Sequence, residues 1–279
     1  MRFFPAAAGA DDGATPATPT TLTVAGVRFL VPADVLDESD AALVEPAVYE
    51  GGHEAWECCF DLVGHLEEFG LPAISSGRRR VLELGCGLGL PGLWALRRGA
   101  AHLSFLDLNL DVLRDKTAKL VALNGENGEK TGDRAAFYAG DWHDVTPLLQ
   151  EDDDGAGDDA GRYDAVVSAE TVYRTDLAAS LGRMLEAHLS RPKGVGFIAT
   201  KRYYFGCGGG TLAFTQATFC SQALPAALCA ECVHSVEDGR SNVRDILRVT
   251  WRHEGAEACA AVAQAAAPTG GGFSFNFET

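Results

Sequence analysis

The chain is poor in positive charge: 23 Lys and Arg stand against 39 Asp and Glu among 279 residues, a net charge of −16. Phosphate would be repelled by such a surface, which argues against nucleic acid as the direct partner. A basic protein substrate is favoured instead, because the field would draw it in. Also missing is any apolar run near the roughly 20 residues that a bilayer-spanning helix needs. The opening MRFFPAAAGADDGATPATPT has one Arg, early acids, several prolines and no apolar core, so it reads as neither a signal nor a transit peptide. A protein of the cytoplasm or nucleus, with no membrane partner, is expected.

Metal and disulfide patterns are scarce too. Eight cysteines over this length make no disulfide scaffold and point to a reducing compartment. Cys229 and Cys232 form one C-x-x-C with no second pair or histidine at zinc-finger spacing, so no metal is expected. Cys58 and Cys59 read as small buried hydrophobes. What remains is an ordinary soluble composition, 47% hydrophobic, on a length that suits one α/β domain with extensions.

The organising stretch is VLELGCGLGLPGLWALRRGAAHLSFLDLN, residues 81–109. Val81, Leu82 and Leu84 form a short run suited to a buried parallel strand. Gly85, Gly87 and Gly89 then make a turn in which the backbone can approach a ligand closely. Pro91 is tolerated in a first helical turn, and Leu93, Trp94 and Leu96 give that helix an apolar side. A second strand, Leu103 to Leu108, carries Asp107 about 20 residues beyond the first glycine, where an acid accepts from both hydroxyls of a ribose. The unit is a nucleoside-cofactor half-domain. Gly87, Gly89 and Gly92 also satisfy G-x-G-x-x-G, so a dinucleotide remains formally open. The phrase Glu83-Leu-Gly-Cys-Gly-Leu-Gly89 instead resembles the first motif of the seven-strand methyltransferases, which bind S-adenosylmethionine. In that family the acid at Glu83 helps hold the amino group of the methionine moiety.

Along the chain, residues 1–20 read as a disordered tail. Leu22 to Val31 reads as a short strand or hairpin arm. Trp56, Phe60, Val63 and Leu66 recur at helical spacing, so a lid helix is expected over 53–69, ending at Gly70 and Pro72. Taken alone, that spacing makes Trp56 a core residue. Leu113, Thr117, Leu120 and Val121 mark a second crossover helix, and Ala135 to Ala139 a third strand running into Gly140-Asp141-Trp142. The acid-rich segment 151–161 reads as a surface loop. Tyr163 to Ser168 is a fourth strand leading to Ala169-Glu170-Thr171-Val172-Tyr173. A helix through Leu177, Leu181, Met184, Leu185 and His188 follows, with His188 as packing, and then a fifth strand, Val195 to Thr200. Val233 to Val236 and Ile246 to Trp251 flank a hairpin turn, and 255–279 reads as an Ala- and Gly-rich tail. The expected fold is therefore α/β: a Rossmann-like, mostly parallel sheet with helices on both faces and an antiparallel C-terminal hairpin, one domain over 21–254. Ligands in such sheets bind beyond the carboxyl ends of the strands. There Asp141 is placed to accept from an adenine amino group, with Trp142 beside the ring and Glu170-x-x-Tyr173 where an acceptor approaches.

The phrases VYEGGHEAWECCFDLVGHL, VLELGCGLGLPG, GDW, SAETVY and KRYYFGCGGG, in this order, resemble the protein-histidine N-methyltransferases that modify a large-subunit ribosomal protein. The likeness spans about residues 44–253. It implies S-adenosylmethionine as cofactor, S-adenosylhomocysteine as product, and methylation at the imidazole nitrogen remote from Cβ. Ala55 to Cys59, with Trp56, Glu57 and Cys58 at the centre, would line the cofactor; Gly85 and Gly87 would contact its methionine part; Asp107, Leu108 and Asn109 its ribose side; Gly140, Asp141 and Trp142 the adenine. Ala169 occupies a further cofactor position where the family has serine, and Leu108 one where it has an aromatic. Glu170 and Tyr173 would serve catalysis, and Tyr49, Glu50, Tyr203 and Tyr204 would shape the pocket for the substrate imidazole. The enzyme is expected to act as a monomer. A protein-lysine methyltransferase on the same scaffold, or a non-catalytic factor gripping a ribosomal protein, are the other readings.

Overall fold

The computed structural model describes residues 1–3, 19–32, 35, 51–71, 79–124, 134–151, 161–215, 227–239, 241–252 and 275–278. Its elements are β1 (Arg2–Phe3), β2 (Thr20–Val24), β3 (Val27–Val31), α1 (Glu57–Phe69), β4 (Arg80–Leu84), α2 (Leu90–Arg97) and β5 (His102–Asp107). A π-helical turn, Val112–Thr117, runs into α3 (Ala118–Leu123), followed by β6 (Ala135–Ala139), α4 (Trp142–Glu151), β7 (Ala165–Ala169), α5 (Thr175–His188) and β8 (Val195–Lys201). α6 (Thr211–Thr215), β9 (Leu228–Val236), β10 (Arg244–Trp251) and β11 (Phe275–Glu278) complete the order.

The main sheet has the order β1-β6-β5-β4-β7-β8-β10-β9. From β6 to β8 its strands are parallel, with Val81 beside Leu103 and Ala165, and Val167 beside Phe197. β10 then inserts antiparallel to both β8 and β9, placing Ile246 beside Ala199 and His234. This is the seven-strand, mostly parallel sheet with an antiparallel end that the strand–helix alternation predicts, plus one short edge strand, β1, paired antiparallel to β6. Alternate strand residues feed two cores. Val81, Leu103, Phe105 and Val167 meet α1 and α2 on one face, while Leu82, Leu84, Val166 and Ile198 meet α4 and α5 on the other. At about 25 cal/mol per Å² of apolar surface, these two layers dominate stability and hold the strand ends in fixed register.

A three-stranded sheet, β11-β2-β3, caps the first face. Leu22, Val24, Phe29 and Val31 are fully buried there, and Asn124 both accepts from the Leu30 amide (2.8 Å) and donates to its carbonyl (2.6 Å). α1 is tied to the main sheet by a buried ion pair in which Arg244 of β10 grips Asp61, with Asp238 3.1 Å from the same guanidinium.

Three expectations need correction. The lid helix begins at Glu57, four residues later than its apolar spacing suggests, because Trp56 has extended backbone angles and its indole donates back to the Gly51 carbonyl at 3.0 Å. β9 reaches back to Leu228, past the run recognised from sequence, because its polar centre is carried across a register shift between Ile246 and Leu247. Against the reducing compartment read from the cysteines, Cys229 is disulfide-bonded, while Cys232 is free. Tyr49, Glu50, most of the acid-rich 151–161 segment and residues 253–274 lie outside the described residues. Among the described residues no helix is long and apolar enough to cross a membrane, and no cluster of metal-ligating side chains occurs.

Candidate active site

The carboxyl ends of β4, β5, β6 and β7 open on one cavity of about 310 Å³, a size suited to a small-molecule site. Gly85 leaves β4 at φ +61°, and a Cβ there would stand 2.4 Å from the Thr171 methyl, so only glycine lets the two strand ends meet. Behind the turn, Glu83 is buried and accepts from the Gly92 amide at 2.8 Å. Burial pushes its carboxyl well up, the Gly92 bond opposes this, and the nearby Asp107 charge adds to it. Asp107, ending β5, spreads its two oxygens: one accepts from the Gly87 amide at 2.9 Å, the other from Asn109 at 3.1 Å. Burial raises this carboxyl as well, with the two amides pulling the other way. The π turn supports the glycine loop from outside, since Thr117 donates to the Gly87 carbonyl at 2.6 Å. At the end of β6, Asp141 accepts from the His143 amide at 2.8 Å and starts α4, which brings Trp142 to the cavity wall.

The residues expected at the cofactor fall mostly on this wall. Trp56, Glu83, Gly85, Gly87, Asp107, Leu108, Gly140, Asp141, Trp142 and Ala169 line it. Glu57, Cys58 and Asn109 do not. Cys58 is fully buried with its thiol against Glu170, while Ala55 and Cys59, from the same expected span, reach the cavity. Glu57 turns away to pair with Lys201 at 3.0 Å. Thr171, Arg174, Leu177 and Ser180 also line the wall and escaped sequence reasoning. Their only signal was that the Glu170-x-x-Tyr173 segment runs straight into α5.

Glu170 sits where the sheet releases the chain, at φ +58°. That left-handed conformation is costly for a residue with a Cβ and is held here by the surrounding structure. One carboxylate oxygen, Oε2, accepts the Tyr204 hydroxyl. The other, Oε1, is buried without a hydrogen bond, and the Lys201 ammonium lies 3.7 Å away, an ion-pair distance too long for a good hydrogen bond. Burial first, then the Glu170 charge, drive the Tyr204 phenol far above its ordinary pKa, so it stays protonated and remains the donor. The Tyr173 hydroxyl is buried with no partner, and its ring meets Tyr204 edge-on at 6.3 Å.

The loop after β8 delivers Tyr204 to this point. Gly209 donates to the Tyr173 carbonyl at 3.2 Å and Gly210 to that of Val172 at 2.8 Å. A Cβ on Gly209 would lie 2.2 Å from the Tyr173 carbonyl carbon, so absence of a side chain is what allows the loop to close on the Glu170-x-x-Tyr173 segment. Tyr203 points the other way, 47% exposed and edge-on to Phe205 at 4.9 Å; neither it nor Tyr204 lines the cavity, which Tyr204 reaches only through its bond to Glu170.

No family model matches the chain. Over 218 residues, 77% of its length, it is 33% identical to the histidine protein methyltransferase 1 homolog of Dictyostelium discoideum, covering 62% of that protein. It is 30% identical over 188 residues to the Bos taurus homolog, covering 48% of it, and 30% identical over 203 residues to histidine protein methyltransferase 1 of Schizosaccharomyces pombe, covering 57%. The chain thus spans about half to three-fifths of the length of these curated relatives. Among solved structures, a Streptococcus mutans protein classed as a SAM-dependent methyltransferase superposes with TM-score 0.54 at 13% identity, over 85% of this chain and 57% of that one. A methyltransferase-class protein solved with SAH gives TM-score 0.51 at 12% identity, over the same shares, 85% and 57%. In fold the chain is like proteins classed as S-adenosylmethionine-dependent methyltransferases, and in sequence it is similar to the histidine protein methyltransferases.

Proposed function

We propose that the chain is an S-adenosylmethionine-dependent protein-histidine N-methyltransferase whose substrate is a basic protein, a component of the large ribosomal subunit, in the cytoplasm or nucleus. The observation that carries the proposal is the paired state of Glu170: Oε2 is tied down by Tyr204, while Oε1 is buried and has no hydrogen bond. The cavity's wall fits the cofactor. Each Asp107 oxygen has one amide donor and a lone pair to spare for a ribose hydroxyl. Buried Glu83, its carboxyl pushed up, gains from a cationic amino group brought beside it. Asp141 and Trp142, on the same wall, are the residues we assign to the adenine. The sulfonium supplies an activated methyl when bound.

The remaining work is positioning and exclusion of water, which accounts for much of the rate in such transfers. Glu170 Oε1 accepts the N–H of the acceptor imidazole, which fixes the tautomer and leaves the other ring nitrogen bare toward the methyl. A histidine with an ordinary pKa near 6.5 is mostly neutral at physiological pH, so no strong base is required. As the ring gains positive charge, the Glu170 carboxylate stabilises it, and the N–H proton later passes to solvent by way of that oxygen. Tyr173, with its buried unpaired hydroxyl, offers a donor or acceptor beside the ring.

The test uses radiolabelled S-adenosylmethionine and large-subunit ribosomal proteins that lack the modification. Label recovered as methylhistidine after acid hydrolysis supports the proposal, and label in methyl-lysine replaces it with the lysine reading. Failure to bind S-adenosylmethionine would favour a non-catalytic binder. For Glu170→Ala, turnover should fall by roughly 10²–10⁴, the usual worth of a proton-handling group, with cofactor affinity changed only a few-fold. Unchanged turnover in that variant removes Glu170 from the mechanism.

A further inference from the structure

We infer that Lys201 sets acceptor specificity: by holding its ammonium against Glu170, it reserves the acceptor end of the cavity for a neutral imidazole and disfavours a lysine side chain. The inference rests on the histidine reading above and adds a residue to it. Lys201 is the last residue of β8 and the first of the KRYYFGCGGG phrase. Its Nζ stands 3.0 Å from Glu57 Oε2 and 3.7 Å from Glu170 Oε1, with 18% side-chain exposure against 9% for Glu170. The Trp56 and Tyr204 ring centroids each lie 5.8 Å from it. The ammonium is therefore fenced by two carboxylates and two aromatic faces.

Glu170 is the carboxylate that an incoming acceptor must use, and its charge is already shared. A neutral imidazole needs one acceptor lone pair and brings no charge. A lysine ammonium needs the carboxylate's charge as well, and would have to take it from Lys201 with two cations held within a few ångströms of each other. Partial burial makes that repulsion matter, because it is poorly screened. The other charged groups near the site do not offset this. Arg174 is paired with Asp176 at 2.8 Å, and Glu57 is spent on Lys201 itself. Burial works against the Lys201 charge, yet Glu170 and Glu57 hold its pKa above the ordinary value, so it remains a cation throughout the working range. The same contact also orients Glu170, because Tyr204 and Lys201 approach different oxygens.

The experiment compares two peptides that differ only in having His or Lys at the target position, cut from whichever ribosomal protein the wild-type enzyme labels. Wild type, Lys201→Met and Lys201→Arg are each measured for S-adenosylmethionine affinity, for kcat and KM on the His peptide, and for inhibition or methylation by the Lys peptide. In wild type and Lys201→Arg the Lys peptide should bind at least about tenfold more weakly than the His peptide, a gap of one power of ten per 1.4 kcal/mol. Lys201→Met should close most of that gap by strengthening the Lys peptide, with cofactor affinity retained as the proof of folding. An unchanged ratio in a Lys201→Met enzyme that still binds S-adenosylmethionine overturns the inference. If Lys201→Met does not fold, Lys201→Gln takes its place, and loss of discrimination in Lys201→Arg also overturns the idea. Wild-type label in methyl-lysine would instead overturn the histidine reading, which separates the two failures.

Discussion

Gly209→Ala isolates the contact that closes the acceptor end of the cavity. Gly209 needs no unusual backbone angle, so its constraint is space alone. An added Cβ would meet the Tyr173 carbonyl carbon and the Val172 oxygen at 2.2 Å and the Tyr173 oxygen at 2.3 Å. All three are backbone atoms, and ordinary contact lies at roughly 3.5–4.0 Å, so the loop must withdraw by more than about 1 Å. That movement stretches two hydrogen bonds, Gly209 to Tyr173 at 3.2 Å and Gly210 to Val172 at 2.8 Å, beyond useful length. At about 1 kcal/mol for each of the two bonds, with about 1–3 kcal/mol for overpacking, the cost is on the order of 3–5 kcal/mol. For a domain of this size each kcal/mol lowers Tm by about 2–4 °C, giving a fall of roughly 6–20 °C. Methyl transfer should suffer more, since about 1 Å of misplacement of Tyr204 and Tyr173 can cost about 10²-fold. Cofactor affinity should be nearly kept, because Gly87, Asp107 and Asp141 stand on other strand ends. The matched control is Gly206→Ala, at φ +79° with open space around the added carbon, where only about 1–2 kcal/mol of conformational cost applies. Differential scanning calorimetry and turnover on the same preparations decide the matter. A Gly209→Ala protein that melts within two or three degrees of wild type and turns over normally refutes the clamp.

Three further perturbations test other parts of the structure. Asp107→Asn should weaken S-adenosylmethionine binding by roughly 10–100-fold, since charge-assisted bonds to hydroxyls are worth about 1.5–3 kcal/mol; calorimetric affinity within twofold of wild type would remove Asp107 from the ribose site. Arg244→Met strands Asp61 in the core, where burial already raises the carboxyl's pKa against the pull of Arg244, and should cost about 3–5 kcal/mol in urea unfolding. His65 packs against Phe69, Phe197 and His234, and burial, then the His234 charge, lower its pKa to about 4. Between about pH 6.5 and 4 the unfolded chain therefore binds a proton there that the folded chain does not. The contribution is complete above pH 6.5 and lost as pH falls toward 4, up to about 3 kcal/mol for a shift of this size. The stability difference between wild type and His65→Leu should shrink over that window, and a pH-independent difference contradicts the assignment.

The glycine-loop end of the cavity was legible in the sequence, and so were Glu170 and Tyr173 at its other end, but the side chains that hold Glu170 were not, for a physical reason. Gly85, Glu83 and Asp107 act through the backbone turns on which they sit, and those turns are written in consecutive residues. Asp107 finds the Gly87 amide because parallel pairing sets β4 beside β5, a consequence of the alternation of strands and helices. Glu57 shows the limit. The resemblance placed it beside Trp56 along the cofactor, but the helix starts one residue after Trp56, and Glu57 pairs with Lys201 instead. Lys201, Tyr204 and Glu170 come from two strand ends and a loop, and no periodicity relates them. Tyr203 and Tyr204 are adjacent in a phrase that resemblance assigned as a unit, yet the loop's course sends one to solvent and the other to Glu170. The run Gly208-Gly209-Gly210 reads by composition as a flexible linker. Two of its amides bind the Glu170-x-x-Tyr173 segment, and a single added carbon at Gly209 would collide with that backbone. The glycines are thus there for close approach, and a loop that looks permissive in sequence is the most sterically demanding part of the acceptor end.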